Sequence, residues 1–273
     1  MERELTLEEK EQKVKDLRPI DDVFFEVLAN DTGFCQEMLR IILSDDQLVV
    51  TKVIVQSSER NLYGRSVRLD ALCLLGNGKK CNVEVQRSDN DDHVRRVRFN
   101  AASIAVTDSR SNSKFSELED IIVVYISQFD IFGGERVLYH VDSVIRETGA
   151  VIDDGLERYF VNTAVKDGTT LSELMECFLK KEVNNPKFPA MTNRMNFLKH
   201  QEGGLEAVCE VMEKYEKKAA VKAAAKAAEE ANVRAIRKMI TDFHASKDNI
   251  LQDYSEEEYS IALRELKAEK TNI

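Results

Sequence analysis

The sequence predicts an α/β fold: a mixed central sheet flanked by helices over residues 17–168, then a helical C-terminal region over residues 169–273. Three observations carry this. Two β-rich stretches flank Gly76-Asn77-Gly78, a cluster that supplies the positive φ values of a tight hairpin turn. The run IIVVYIS at Ile121–Ser127 is apolar on both sides, the mark of a central strand covered on both faces. Around these runs the apolar residues recur at helical spacing.

In chain order, residues 1–16 read as a charged, poorly packed leader. Val23, Phe24, Val27 and Leu28, then Met38, Leu39, Ile42 and Leu43, keep helical spacing, and Asn30-Asp31-Thr32-Gly33 divides them into two short helices. Residues 48–56 (LVVTKVIVQ) are β-branched and read as a strand, followed by a polar loop over 57–66. The hairpin comprises Val67–Leu75 and residues 80–87, and Asp92 then caps a helix over His93–Asp108. After the apolar strand, residues 129–132 and 136–141 form an extended pair around Gly133-Gly134, and 158–163 is another short strand. Phe129, Phe132, Tyr139, Tyr159 and Phe160 fall on these strands as core residues, because no basic residues interleave them. Helices follow at 171–180, 191–200, 205–243 and about 255–267, the last opened by a capping serine. The apolar stripe thins over the alanine-rich stretch 219–231, so that part of the long helix is exposed or partner-facing.

Composition excludes several classes. The chain has 273 residues, a net charge of −10, no tryptophan and three prolines. No apolar run approaches the roughly 20 residues that span a bilayer, so no membrane partner is expected. The polar, acidic N-terminus lacks a secretory signal, which implies a cytoplasmic address. Five scattered cysteines without a CxxC pair and four histidines without ligand spacing give no zinc site. The acidic balance argues against broad electrostatic capture of nucleic acid, but leaves room for a local basic groove.

The hairpin concentrates the chemistry. With the turn centred on Asn77, Asp70 lies opposite Glu84, Arg68 opposite Gln86 and Cys73 opposite Cys81. Alternation puts Asp70, Glu84 and Gln86 on one face and the cysteines, read as small packed apolar residues, on the other. Directly opposed like charges destabilise a sheet, and a hard divalent cation held by oxygen ligands is the usual remedy. Mg2+ suits two carboxylates aided by the Val85 carbonyl, with Mn2+ as an alternative. Such an ion supports phosphodiester hydrolysis, and Gln86 would orient the attacking water without acting as a cation. The same residues also read as a solvated hairpin face. Arg95, Arg96 and Arg98 open the next helix; they would neutralise phosphates, or form a solvated face paired with Asp89, Asp91 and Asp92. Arg65 and Arg68 carry the same two readings.

These residues resemble a known family. RSVRLDALCLLGNGKKCNVEVQR is similar to the core motif of the PD-(D/E)XK nuclease family transposases, with an aspartate on one strand and Glu-x-Gln on the next. PIDDVFFEVL resembles the family's first helix, matched by Pro19, Asp22 and Phe25. HVRRVRFNAAS resembles its arginine-bearing helix, and IIVVYISQFDIFG with RYFVNT its later strands. The likeness runs from about Leu17 to Leu179. It implies a restriction-endonuclease-like core and a magnesium-dependent, recombination-promoting DNA endonuclease. Asp70 and Glu84 would be the metal ligands, Gln86 the third active-site residue and Asp22 an auxiliary acid; read alone, Asp22 is a charge favourable to its helix dipole. DNA would be the partner, contacted by Arg68, Arg95, Arg96 or Arg98. The long helix would serve as a homo-oligomer arm, a DNA-contacting lever or a plain solvated helix. Gln86 departs from the usual lysine, Glu26 stands where a lysine is common, and Asn100 sits near a common tyrosine. A catalytically silent nucleic-acid-binding or assembly protein would carry the same residues.

Overall fold

The computed structural model describes residues 6–59, 67–90, 92–109, 112 and 114–271. The chain opens with α1 (Leu7–Asp16), α2 (Asp22–Ala29) and α3 (Thr32–Leu43), then β1 (Val50–Glu59), β2 (Val67–Leu75) and β3 (Lys80–Gln86). α4 (His93–Asp108) and a short 3-10 turn lead to β4 (Ile121–Ser127), β5 (Leu138–Val141), β6 (Ser143–Val144), β7 (Val151–Ile152) and β8 (Leu156–Asn162). The helices α5 (Thr170–Phe178), α6 (Pro189–His200), α7 (Glu202–Thr241), α8 (Lys247–Ile250) and α9 (Glu256–Thr271) complete the described chain. Six strands form one mixed sheet in the order β1-β2-β3-β4-β8-β5, and β6 pairs with β7 apart from it. β3, β4 and β8 run parallel, while β1, β2 and β5 are joined antiparallel. This is the helix-flanked mixed sheet that the sequence predicts.

The hairpin turn closes as its residues require. Gly78 takes φ 89°, and Leu75 N–H donates to Lys79 O at 2.9 Å. The register places Cys73 opposite Cys81 and Ala71 opposite Val83. β4 is buried at every position, between β3 and β8. One face of the sheet, with Cys73, Cys81, Val83, Val85 and Val124, packs on α2, α3, α5 and α6. The other, with Leu72, Val123 and Tyr125, packs on Val97, Ala101 and Ile104 of α4. All five cysteines are free thiols; the Cys35 thiol donates to Ala29 O at 3.2 Å.

The structure departs from the sequence reading of the elements at several places. Residues 7–16 of the expected leader form a helix, capped by Thr6 and Glu9, whose Val14 is fully buried. β1 continues to Glu59, shortening the expected polar loop; residues 60–66, and with them Arg65, lie outside the described residues. Residues 129–132 form no strand. The Asp130 carboxylate accepts from the N–H groups of Phe132, Gly133 and Glu135 and from Tyr139 Oη, which winds this segment into a loop and leaves Phe132 exposed. β5 therefore pairs with β8 instead. The β6–β7 hairpin, two residues a side and largely exposed, has no periodicity to announce it.

α5 and α6 share the core of α2 and α3. Lys199 of α6, almost fully buried, donates its ammonium to the carbonyls of Lys15, Leu17 and Lys181, the first two at 2.9 and 2.6 Å. The chain divides into two compact units, residues 1–212 and 213–273, with α7 running through the division. In the second unit, Val233 and Ile236 of α7 pack with Ile250 of α8 and Ala262 of α9. Residues 216–231 of α7 are exposed throughout, and there the alanine-rich composition sustains the helix.

Candidate active site

Asn82, Glu84 and Gln86 alternate along β3 and share a face. Asn82 and Glu84 stand in register with Val123 and Tyr125 of β4, so this is the α4 face of the sheet. The β2–β3 ladder ends at Ala71–Val83, and Asp70 lies one residue beyond it. There the backbone pairing gives way to side chains: Val85 N–H donates to Asp70 Oδ2 at 3.2 Å, and Asp70 N–H donates to Glu84 Oε1 at 3.3 Å. β1 is irregular at the same level. Ser57 pairs with Leu69 and Val55 with Ala71, but Gln56 between them adopts φ 54°, a left-handed conformation rare for a residue with a side chain. Leu69 and Leu72, three positions apart, both pack in the α4-side cluster, so the face alternation of β2 breaks across Asp70.

Glu84 is fully buried. Its Oε1 also accepts from Asn82 Nδ2 at 3.1 Å, whereas Oε2 has no hydrogen-bond partner. Arg96 stands beside Oε2, with Nη2 at 3.7 Å. Desolvation pushes Glu84 up to about 7 against the pull of Arg96 and the Asn82 hydrogen bond. Burial, and then the charge of Glu84, also holds Asp70 well above the ordinary carboxylate range. Gln86 follows Glu84 on the same face of β3. Its Nε2 donates to Ser88 O at 2.8 Å and its Oε1 accepts from Arg96 Nη1 at 2.9 Å.

The structure thus gathers Asp70, Glu84, Gln86 and Arg96. It separates the other arginines. The expected pairing of Arg68 with Gln86 fails because the break at Asp70 turns Arg68 away; it lies across from Ser58 and 3.9 Å from Glu26 of α2. Arg95 is exposed and pairs with Asp92 at 3.3 Å, and Arg98 is exposed on α4. Asp22, in the first turn of α2, is close enough for its charge to raise Asp70 and Glu84, and its own carboxyl is raised by desolvation against the pull of Arg96. Among the described residues no group of three or more His, Cys, Asp or Glu is arranged to hold a metal ion. A metal here would rest on two carboxylates and on backbone, water or substrate oxygens. The donor set fits such an ion: the oxygens are hard, the two carboxylates repel each other, and a buried carboxylate oxygen lacks a hydrogen-bond partner.

Two contributors are absent from the sequence reading. Asn82 sits in a strand interior, where alternation shows its face but not its burial. His93, in the first turn of α4, is buried with Nδ1 2.9 Å from Tyr125 Oη and Nε2 3.1 Å from Asp89 Oδ1, and its ring packs on Phe129 at 4.9 Å. It pins the helix that carries Arg96 to β4. A lone histidine after a polar connector gave no signal of this.

Comparison with curated proteins and with solved structures gives no match. A family model described as PD-(D/E)XK nuclease family transposase matches residues 29–248, which takes in the site but begins after Pro19, Asp22 and Phe25. With most of its length covered, including the hairpin and the arginine-bearing helix, the chain belongs to the PD-(D/E)XK nuclease family transposases.

Proposed function

We propose that this protein is a metal-dependent endodeoxyribonuclease, with Mg2+ (or Mn2+) held between Asp70 and Glu84 and DNA as substrate. Nucleases of this family generally use divalent metals. The observation that carries the reading is the buried carboxylate pair in which Glu84 Oε2 has no hydrogen-bond partner. An ion there would polarise the phosphate and acidify a bound water. Val85 N–H and Asn82 Nδ2 hold the inner carboxylate oxygens, so the pair is positioned before substrate arrives. Gln86 Oε1 keeps a second lone pair beyond its bond to Arg96, and a nucleophilic water can donate to it. Arg96 offers a guanidinium beside both Glu84 and Gln86, suited to a non-bridging phosphate oxygen. The other arginines contribute less to this reading, because Arg68 and Arg95 face acidic partners of their own. Asp22 acts through its charge. A cytoplasmic, recombination-promoting or mobile-element role suits such an enzyme, and self-association falls to the exposed stretch of α7.

One observation favours a silent nucleic-acid-binding scaffold instead. The Gln86 amide is engaged at both ends and supplies no cation where a lysine is usual. Nicking of supercoiled plasmid with and without Mg2+, comparing wild type with Glu84→Ala, separates the two. Magnesium-dependent relaxation that the variant loses supports the nuclease. Equal inactivity of both proteins in Mg2+ and Mn2+ favours the scaffold.

A further inference from the structure

Asn82 is fully buried, yet the fold has no use for an amide at its position. Its register partners are Leu72 on β2 and Val123 on β4, both in the apolar cluster under α4. Its Oδ1 is buried there without a hydrogen-bond partner. An apolar side chain of the same shape would suit these neighbours better, since an orphaned buried acceptor loses its hydration for nothing. The amide serves one contact, the donation from Nδ2 to Glu84 Oε1 at 3.1 Å. The other donor to that oxygen, Asp70 N–H, is longer at 3.3 Å.

We infer that Asn82 is a positioning residue for the cation site, fixing the Glu84 carboxylate by one oxygen so that the other stays available to a divalent ion. This inference rests on the proposed metal-binding reading of the Asp70–Glu84 pair. Two residues apart on one strand, Asn82 and Glu84 share a face, and the hydrogen bond between them restricts rotation about the end of the glutamate side chain. Without the amide, Oε1 keeps a single longer donor, and the carboxylate is held less firmly in the orientation that presents Oε2. The residue resembles the outer hydrogen-bond partners that orient metal ligands elsewhere. It differs from a structural polar group in what its removal does: it should cost ion affinity and leave the fold intact.

The test is Mn2+ binding to the full chain, read by calorimetry and by the paramagnetic resonance signal of the bound ion. Wild type, Asn82→Leu, Asn82→Ala and a Glu84→Gln control are compared, each with its Tm in chelator. Wild type binds, the control loses the ion, and both Asn82 variants bind about tenfold or more weakly. The Asn82→Leu protein keeps a Tm no lower than wild type. Asn82→Ala, which leaves a small void, guards against a leucine that packs badly. Wild-type affinity in both Asn82 variants, alongside a wild-type site that depends on Glu84, overturns the inference and leaves the metal reading standing. So does a large fall in Tm with affinity unchanged, which marks a structural amide. A wild-type protein that binds no Mn2+ removes the inference and the metal reading together.

Discussion

Burial raises Glu84 to about 7, so from the ordinary carboxylate range up to neutrality the folded chain holds a proton that the unfolded chain has released. The stability this proton supplies is present at acid pH and fades as pH rises through the folded value. Asp70, raised for the same reason, adds in the same direction. Glu84→Gln keeps the shape without the charge, and its Tm should exceed that of wild type by on the order of 5 °C at pH 8, with the gap closing towards pH 5. Melting curves at the two pH values check this. In the metal-binding reading, saturating Mg2+ at pH 8 should raise the wild-type Tm and not that of the variant, since an ion bound only by the native state stabilises it. The central residues were legible because a two-strand register propagates outward from one local turn. Arg68 was misplaced because the break at Asp70 and Gln56 is a backbone event, invisible in a pattern of side chains. Asn82 is silent in the sequence because alternation places a strand residue on a face without showing whether that face is covered.

Elements whose composition agrees with their burial were read nearly to the residue. β4 is apolar up to Ser127 and buried throughout, and α4 begins where Asp92 can cap it, with its side chain accepting from Arg95 N–H at 2.9 Å. Elements made by a single side chain were not. Asp130 converts an aromatic, strand-like stretch into a loop, and Lys199 fastens the expected leader through carbonyls that no sequence pattern displays. Lys199→Met retains the apolar stem but strips the ammonium from three carbonyls gathered around it, which should cost on the order of 3 kcal/mol. Urea titration would register this as a lower midpoint with an unchanged slope. The exposed part of α7 depends on intrinsic propensity, so Ala223→Gly and Ala227→Gly should each remove about 1 kcal/mol of helix stability, visible as lost helical circular dichroism.

Asp70, Glu84, Gln86 and Arg96 all lie in the first compact unit, and the exposed stretch 216–231 begins just after its end at Met212. Limited proteolysis should cut within that stretch, and the larger fragment should retain whatever divalent-ion affinity the whole chain has; calorimetry on the purified fragment checks both. With a net charge of −10, contact with a phosphate backbone must depend on a few local cations. In the nuclease reading, Arg96→Met should therefore weaken nucleic-acid binding and flatten its dependence on salt by about one counterion, measured by titration over a salt series. The sheet holds its two carboxylates unequally. Glu84 belongs to a strand bonded to β4 along its full length, whereas Asp70 lies past the last β2–β3 pair, level with the left-handed Gln56. In the metal-binding reading, a cation larger or smaller than magnesium would be met by movement of Asp70 more than of Glu84, so the ionic radius the site tolerates would be set by how far the irregular middle of β2 can yield.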